Sequence, residues 1–430
     1  MRLLIIAFLL SSTASASPSI GSTYSLDQCY ALALRRSDTV ASASELIHQA
    51  EERAHESRAA FLPSLNFTTN GLAQQLPTSP LLQNFFSTYQ GTAQITARQN
   101  LFNGFRDFAA LKQHALEKEA ATSGKEQAQV QLFQDTALTF YHVLAYEQDL
   151  LNYQDEIDAS KQRKTNLESR RRAGQAREAD TVSIDSSIAS LQASLAATRG
   201  LLAATRESLT FLTGLPSEAK LQDSEHYPVA PTPLGSWLNQ TAERADILQA
   251  KASLDAAEES LSRARGGHLP SVDLLGNYYF ARPGLYSGIN WDVQATLVIP
   301  LFAGGLTQAQ VRGAASKRNV SELTLHQIQS QADRDVRSAY QTFVADFEQI
   351  QRLAQATALS QKTYELLAKE NRAGNVTNID VLQALVNSYV TKLTWNHAQW
   401  IAKYNYAKLE ALSAKRDLSG RDANAPRSSK

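Results

Sequence analysis

Two short stretches, RAGQAREADTV at Arg172 to Val182 and RAGNVTNIDVL at Arg372 to Leu382, decide the fold. They share Arg, Ala, Gly and a later Asp at a constant offset of 200 residues. Each stretch follows a long helical pattern, and glycine supplies the left-handed residue that commonly ends a helix. We therefore predict that Gly174 and Gly374 close turns, each between a long helix and an antiparallel return helix.

The residues before the two turns carry the same order of structural signals in both halves of the chain. A helical pattern ends at Pro63 or Pro270, and two segments of alternating apolar and polar residues follow, which indicates a β-hairpin. Leu-Phe-x-Gly then ends each hairpin, at residues 101–104 and 301–304. The sequence is therefore a tandem duplication of helix, β-hairpin, long helix, turn and return helix.

The duplication gives approximate bounds for each segment. We predict a signal peptide at 1–16, a first repeat at 17–213, a linker at 214–236, a second repeat at 237–416 and a disordered tail at 417–430. In the first repeat we expect strands at about 64–76 and 88–101 and a helical hairpin at about 105–213. In the second repeat we expect strands at about 271–281 and 289–301 and a helical hairpin at about 305–415.

The N-terminus has the features of a secretory signal. Arg2 precedes the apolar run from Leu3 to Leu10, and Ala14-Ser15-Ala16 is a small-residue cleavage site. A transmembrane helix would need about 20 apolar residues, and the alternative is a buried N-terminal helix. No later stretch is apolar enough to span a bilayer as a helix, so any membrane crossing would be made by strands.

Composition excludes several classes of protein. Lys plus Arg and Asp plus Glu both total 42, which argues against a nucleic-acid partner bound by phosphate neutralisation. The single cysteine, Cys29, excludes an internal disulfide and a cysteine-based zinc site, and we expect it to be buried, with acylation as the alternative. No histidines are spaced three or four apart, and H-E-x-x-H, G-x-S-x-G and Walker motifs are absent. We predict a protein that is not an enzyme and binds no metal or cofactor.

Each return helix carries two apolar seams rather than one. In the first return helix, one seam follows steps of four and three residues, and the second keeps that spacing two residues out of phase. The seams comprise Ile184, Ile188, Leu191, Leu195, Leu202 and Leu209, and Val182, Ala189, Ala193, Ala196, Gly200 and Ala203. A helix in the wall of a helical cylinder needs one seam for each neighbour. An ordinary solvated antiparallel bundle is the alternative.

The four predicted strands are half apolar and half polar, as expected of strands between lipid and water. A membrane strand cannot leave its edge open, because unpaired backbone groups in hydrocarbon cost several kcal/mol each. Four strands are too few to close a barrel, since the smallest common barrels have about eight. Copies of the chain must therefore share one barrel, and a trimer would give twelve strands and a cylinder of twelve principal helices.

These features together resemble the outer membrane efflux proteins of the TolC type. The resemblance runs from Tyr24 to about Leu412 and rests on the order and duplication of the motifs. The motifs are the strand starts at Pro63 and Pro270, both Leu-Phe-x-Gly strand ends, the mid-point Gly214-Leu215-Pro216 and both glycine turns. It implies a mainly α fold with a membrane part: a trimeric twelve-stranded β-barrel continued by a long α-helical barrel in the periplasm.

The resemblance also implies roles for residues at the hairpin tips. Asp380 matches an acidic residue that forms a cation-selective ring at the pore constriction, and Asp180 is its counterpart in the first repeat. Gln383 replaces a second acidic residue of some members, so we expect a weaker ring. Asn371 and Val376 stand where other members have closing contacts. For Asp180 and Asp380 the alternative is a charge that offsets the helix dipole.

The tips near Arg172, Gly174, Arg372 and Gly374 would meet a periplasmic adaptor protein and an inner-membrane pump. For the two arginines the alternative is neutralisation of helix C-termini. The resemblance thus implies the exit duct of a tripartite efflux or type I secretion system, placed in the outer membrane as a homotrimer. The alternative function is a structural or adhesive envelope coiled coil without a conduit.

Overall fold

The computed structural model describes residues 23–79 and 87–418. The predicted signal peptide at 1–16 lies outside the described residues. The helices are α1 (Leu26–Arg36), α2 (Asp38–Ala59), α3 (Arg106–Arg172), α4 (Glu178–Thr213), α5 (Gly235–Leu238), α6 (Ala245–Arg265), α7 (Leu306–Arg372) and α8 (Asn378–Leu412). The strands are β1 (Thr23–Tyr24), β2 (Ser64–Ala73), β3 (Tyr89–Asn103), β4 (Lys220–Leu221), β5 (Ser271–Ala281) and β6 (Trp291–Val298).

The two long helices α3 and α7 set the dimensions of the fold. Each has 67 residues and is therefore about 100 Å long at 1.5 Å per residue. Both begin after two consecutive left-handed residues, Gly104 and Phe105 in the first repeat and Gly304 and Gly305 in the second. The predicted duplication is confirmed, with a β-hairpin at one end of each long helix and a helical turn at the other.

The first helical pattern is broken where the sequence suggested continuity. The helical pattern that ends before Pro63 forms two helices, since α1 ends at Arg36 and α2 begins at Asp38. Ser37 lies between them with an extended backbone, and its hydroxyl accepts a hydrogen bond from the Val40 amide. The serine satisfies an amide that a new helix would leave unpaired, which stabilises the break.

The four long strands form one antiparallel sheet in the order β2-β3-β5-β6. The two hairpins have the same internal register: Asn66 lies opposite Thr96 in one, and Asp273 lies opposite Thr296 in the other. β6 ends at Val298, short of the predicted 301, because the following Pro300 has no amide hydrogen to donate to a ladder. Within the described residues, β2 and β6 each have one edge without a partner strand.

The helices form two consecutive layers below the sheet. Next to the strands α3 lies between α2 and α6, and α7 packs on the far side of α6. Towards the turns α3 lies between α4 and α8, and α7 packs on the far side of α8. Each layer is therefore a four-helix wall that shares α3 and α7. No helix of the described chain has an apolar stretch long enough to cross a bilayer.

The main core lies between α1, the middle of α3 and the C-terminal end of α8. Phe133, Phe140 and Tyr141 of α3 are fully buried there, together with Cys29 of α1. The linker contributes too, because β4 pairs in parallel with β1.

The predicted disordered tail is wrong at its first residues. Leu418 packs into this core, and its carbonyl accepts a hydrogen bond of 2.9 Å from the Tyr30 hydroxyl. The chain therefore stays anchored to α1 beyond the end of α8, whereas residues 419–430 lie outside the described residues.

Candidate pore entrance at the helical hairpin tips

The two predicted glycine turns have the same geometry. Gly174 and Gly374 adopt φ values of +73° and +85°, which only glycine takes without strain. At the first turn the Gln175 amide donates to the Arg170 carbonyl at 2.8 Å and the Gly174 amide donates to the Arg171 carbonyl at 2.9 Å. The second turn repeats both hydrogen bonds one repeat later. Each long helix thus ends in a Schellman motif that turns the chain back on itself.

The return helices also begin alike, and the predicted acidic residues provide their caps. The Asp180 carboxylate accepts from the Arg177 amide at 3.0 Å, and the Asp380 carboxylate accepts from the Thr377 amide at 2.9 Å. The Thr377 hydroxyl lies within hydrogen-bond distance of the Asp380 amide and carboxylate, and this contact lowers the pKa of the carboxyl. Both aspartates therefore cap their return helices, which is a structural role that needs no pore.

The two capping aspartates differ in exposure. Asp180 is 6% exposed, and its Oδ1 is buried with no hydrogen-bond partner among the described residues. Asp380 is exposed, as is Gln383 on the next turn of α8. Within one chain, only the second repeat presents its capping carboxylate to solvent.

The other predicted tip residues lie at the ends of the long helices. Arg172 is exposed and its guanidinium lies 3.4 Å from the Ser169 hydroxyl. Arg372 is exposed and donates to the Ala368 carbonyl at 3.3 Å, which is the predicted alternative role at a helix C-terminus. Pro63 and Pro270 directly precede β2 and β5, so they lie at the opposite end of the long helices from the turns.

Two arginine–asparagine contacts join the helical hairpins near their tips. The Arg163 guanidinium of α3 donates to the side-chain oxygen of Asn378 in α8 at 3.1 Å. Arg170 donates to the side chain of Asn371 in α7 at 3.0 Å, and the Asn371 amide donates to the Val376 carbonyl at 2.8 Å. The tips of the two hairpins are therefore fastened by polar contacts within one chain.

A small apolar cluster supports these contacts. Leu167 of α3, Ile184 of α4 and Leu382 of α8 are buried against one another. Sequence reasoning identified Ile184 as a seam residue but missed the contacts that Arg163, Arg170 and Asn378 make between the hairpins. Arg163 and Arg170 each follow a buried residue of α3, Ser160 and Leu167, by three positions, so they lie on the same face of the helix. Charged residues on a buried helix face were the sequence feature that could have identified these contacts.

Further from the tips, the contact between α3 and α8 contains buried polar groups. Asn152 and Glu156, one turn apart on α3, are 1% and 2% exposed. Burial raises the pKa of the Glu156 carboxyl to about 7. On the same contact, Asp149 of α3 lies 3.8 Å from the His397 imidazole of α8 and raises its pKa. The contact between the two hairpins therefore includes buried polar groups between the apolar cluster at the tips and the main core.

The described residues contain no cluster of His, Cys, Asp and Glu side chains arranged to hold a metal ion. The tips instead combine an exposed carboxylate with basic residues, because Arg170, Arg171 and Arg172 fill the last turn of α3. Such an arrangement can attract ions or a protein partner.

Comparisons with known proteins agree with this architecture. A model of the outer membrane efflux protein family matches residues 29–215 and 239–414. The outer membrane protein TolC of Escherichia coli strain K12 is 26% identical over 218 residues, which cover 46% of this chain and 43% of TolC. The cation efflux system protein CusC of Escherichia coli O6:H1 is 23% identical over 290 residues, which cover 65% of this chain and 57% of CusC. The chain thus spans about half the length of the curated relatives it matches.

Solved structures share the fold over nearly the whole chain. A crystal structure of CusC superposes with a TM-score of 0.80 at 19% identity and covers 93% of this chain and 95% of that one. The outer membrane protein VceC of Vibrio cholerae superposes with a TM-score of 0.79 at 18% identity and covers 90% of this chain and 96% of that one. With the family model matched on both repeats, the chain belongs to the outer membrane efflux protein family.

Proposed function

We propose that the chain is the outer membrane exit duct of a tripartite efflux or type I secretion system and works as a homotrimer. The observation that carries the proposal is that no other strand of the described residues pairs with the outer edges of β2 and β6. Edges in hydrocarbon must be paired, and three copies would join their four strands into one closed barrel of twelve. The helices would continue this barrel into the periplasm as a hollow cylinder.

The helical wall supports the same assembly. α8 lies between α3 and α7, so both of its seams have neighbours within the chain. α4 packs mainly against α3, with smaller contacts to α1 and α8, and its second seam is exposed. That seam is mostly alanine and glycine, which permits a second helix to approach closely. A neighbouring copy would cover it and would complete a cylinder of twelve helices.

The entrance of the duct would lie at the helical hairpin tips. Arg172, Gly174, Arg372 and Gly374 form the part of each chain furthest from the sheet, where a periplasmic adaptor and an inner-membrane pump would dock. Asp380, one from each of three copies, would form a ring that favours cations, and Gln383 would add no charge. We assign Asp180 a structural role, because its carboxylate is buried within the chain.

Two measurements test the proposal. The first is the mass of the protein extracted in mild detergent from isolated outer membranes, corrected for bound detergent. Three mature chains are expected, whereas recovery as a soluble monomer or dimer would contradict the duct. The relatives named above are outer membrane and efflux proteins, so the alternative of a structural coil has no support from them.

The second measurement is ion selectivity in planar bilayers. Asp380→Asn should reduce the preference for cations, because it removes a charge from each copy. Thr377→Ala is the matched control, because it weakens the same helix cap and leaves the carboxylate in place. Equal selectivity of the Asp380 variant and the wild type would remove Asp380 from the constriction.

A further inference from the structure

Two constant offsets relate the repeats residue by residue. The second strand and the long helix of each repeat differ by 200, as from Gly104 to Gly304. The helix before the hairpin and the first strand differ by 207, as from Pro63 to Pro270. Adding 207 to Asn66 and 200 to Thr96 gives Asp273 and Thr296; we say that the offsets convert the first pair into the second. In each pair the two residues lie opposite each other in the sheet.

The offsets also hold for side chains between helices. Glu51 of α2 and Lys118 of α3 form an ion pair of 3.0 Å in the first repeat. The offsets convert this pair into Glu258 of α6 and Arg318 of α7, which also form an ion pair of 3.0 Å. The two repeats therefore share this individual contact between the equivalent helices.

Contacts between the repeats have counterparts that cannot form within one chain. Lys112 of α3 lies 3.7 Å from Glu259 of α6. The offsets convert this pair into Arg312 of α7 and Glu52 of α2, which lie at opposite edges of the wall. Opposite charges recur, and both side chains are exposed without an ion-pair partner in the described part of the chain.

The sheet repeats this relationship. The Thr96 hydroxyl of β3 donates to the side-chain oxygen of Asn277 in β5 at 2.8 Å, and the two residues lie opposite each other. The offsets convert them into Thr296 of β6 and Asn70 of β2. The same two residue types therefore stand on the two open edges of the sheet, in the positions that the inner pair would predict.

We infer that a second copy of this chain docks its α2 and β2 against α7 and β6 in the register of the contacts between the repeats. Arg312 then pairs with Glu52 of the neighbouring copy, and Thr296 lies opposite Asn70 of that copy. The inference rests on the proposed trimeric duct and adds to it a residue-level interface. Three such interfaces close the ring, since each copy offers one edge of each kind.

Exposed apolar residues fit the same register. Gly124 of α3 faces Gln249 of α6, since a Cβ added to the glycine would lie 3.2 Å from the Gln249 side-chain nitrogen. The corresponding positions are Thr324 of α7 and Ser42 of α2, and one helical turn from them stand Val320 of α7 and Leu46 of α2. Val320 is 63% exposed and Leu46 is 58% exposed in the single chain. The docked copy would place them against each other, because the two helices run antiparallel. Burial of large apolar side chains supplies stabilisation that a surface ion pair alone does not.

Cysteine pairs introduced into the full chain test this register in the detergent-extracted trimer. Asn70→Cys with Thr296→Cys should form a disulfide on mild oxidation, because opposed residues of antiparallel strands have Cα atoms about 4.5 to 5.5 Å apart. Glu52→Cys with Arg312→Cys should react with a short thiol crosslinker. In both variants, denaturing gels should resolve a species of three covalently linked chains that reduction or omission of the crosslinker removes.

Three controls are matched to these pairs. Thr68→Cys with Thr296→Cys moves the strand partner by two residues on the same face, and Glu45→Cys with Arg312→Cys moves the helix partner by about 10 Å. Thr96→Cys with Asn277→Cys should give the equivalent disulfide within one chain. The wild-type chain gives the background of Cys29, which is buried.

The possible outcomes distinguish a failure of the proposed interface from a failure of the proposed trimeric duct. Linked trimers in the matched pairs, with at least tenfold less in the displaced pairs, support the register. Equal linking in displaced and matched pairs overturns the register. So does a trimeric mass without linking, provided that the pair within one chain oxidises, and the duct would then stand with a different interface. A monomeric mass refutes the duct, and the interface with it.

Discussion

The buried Glu156 gives the chain a predicted loss of stability as the pH rises. The residue lies on α3, opposite α8; it is 2% exposed and forms no ion pair with another described residue. The Glu156 carboxylate interacts electrostatically with Tyr153 of its own helix and Tyr389 of α8. The nearby cation of α8, Lys392, lies 3.8 Å from the adjacent Asp155. Burial raises its pKa from 4.5 to about 7 because the charged form loses its hydration.

The sign and the size follow from these two values. The folded chain holds the proton more tightly than the unfolded chain, so stability is highest below about pH 4.5 and falls as the pH rises towards 7. Each pKa unit corresponds to about 1.4 kcal/mol, so the full loss is about 3 kcal/mol per chain. Between pH 5 and pH 8 the expected loss is about 2 to 3 kcal/mol, since part of the effect is already present at pH 5.

Glu156→Gln tests this reasoning because glutamine keeps the shape of the protonated acid and does not titrate. The free energy of unfolding in denaturant should be similar for variant and wild type at pH 5, and higher for the variant by about 2 to 3 kcal/mol per chain at pH 8. Glu119→Gln is the matched control, because Glu119 is exposed on the same helix. An unchanged pH dependence in the Glu156 variant, or an equal difference from wild type at every pH, would refute the reasoning.

Three further predictions concern the glycine turns, the arginine–asparagine contacts between the hairpins, and the core. Gly374→Ala should destabilise the second tip by about 1 to 2 kcal/mol, because a Cβ is strained at φ +85°; faster hydrogen exchange confined to the start of α8 would confirm it. Arg163→Ala should loosen the tips by removing its contact with Asn378, which single-channel recordings should detect as higher conductance. Lys161→Ala, exposed on the same helix, should leave conductance unchanged. Cys29 should resist maleimide at pH 8 until the chain is denatured, because burial raises the pKa of its thiol to about 12; labelling of the native trimer would contradict this.

The sequence predicted the turns and the duplication because both depend on local chemistry. Gly174 and Gly374 have a left-handed backbone, which favours glycine. A glycine at the end of a long helical pattern therefore predicts the turn from the local sequence alone. The alternation of β2 and β5 is also local, since each strand has one apolar and one polar face. Because the motifs recur at a fixed offset, each local prediction in one repeat was supported by the same pattern in the other.

The contacts between the hairpins could not be predicted, because they depend on the register of α3 against α8. Arg163 and Asn378 are 215 residues apart, and no local pattern states that they meet. Glu156 is read from the sequence as one more charged residue on a helix surface, and only the packed helices reveal its burial. Leu418 was assigned to the disordered tail for the same reason, since its partner Tyr30 lies near the other end of the chain.

The duplicated cap explains why an aspartate recurs at 180 and 380, and it also limits what the recurrence can prove. Both carboxylates accept a hydrogen bond from a backbone amide at the start of a return helix, so helix capping alone explains why an aspartate stands at each position. A pore role requires, in addition, a carboxylate that can reach passing ions. The Asp180 carboxylate is enclosed within its own chain, whereas that of Asp380 is exposed. The same motif can therefore carry one function in the first repeat and two in the second. The Thr377→Ala control separates these two functions, because it weakens the cap of α8 and leaves the charge of Asp380 unchanged.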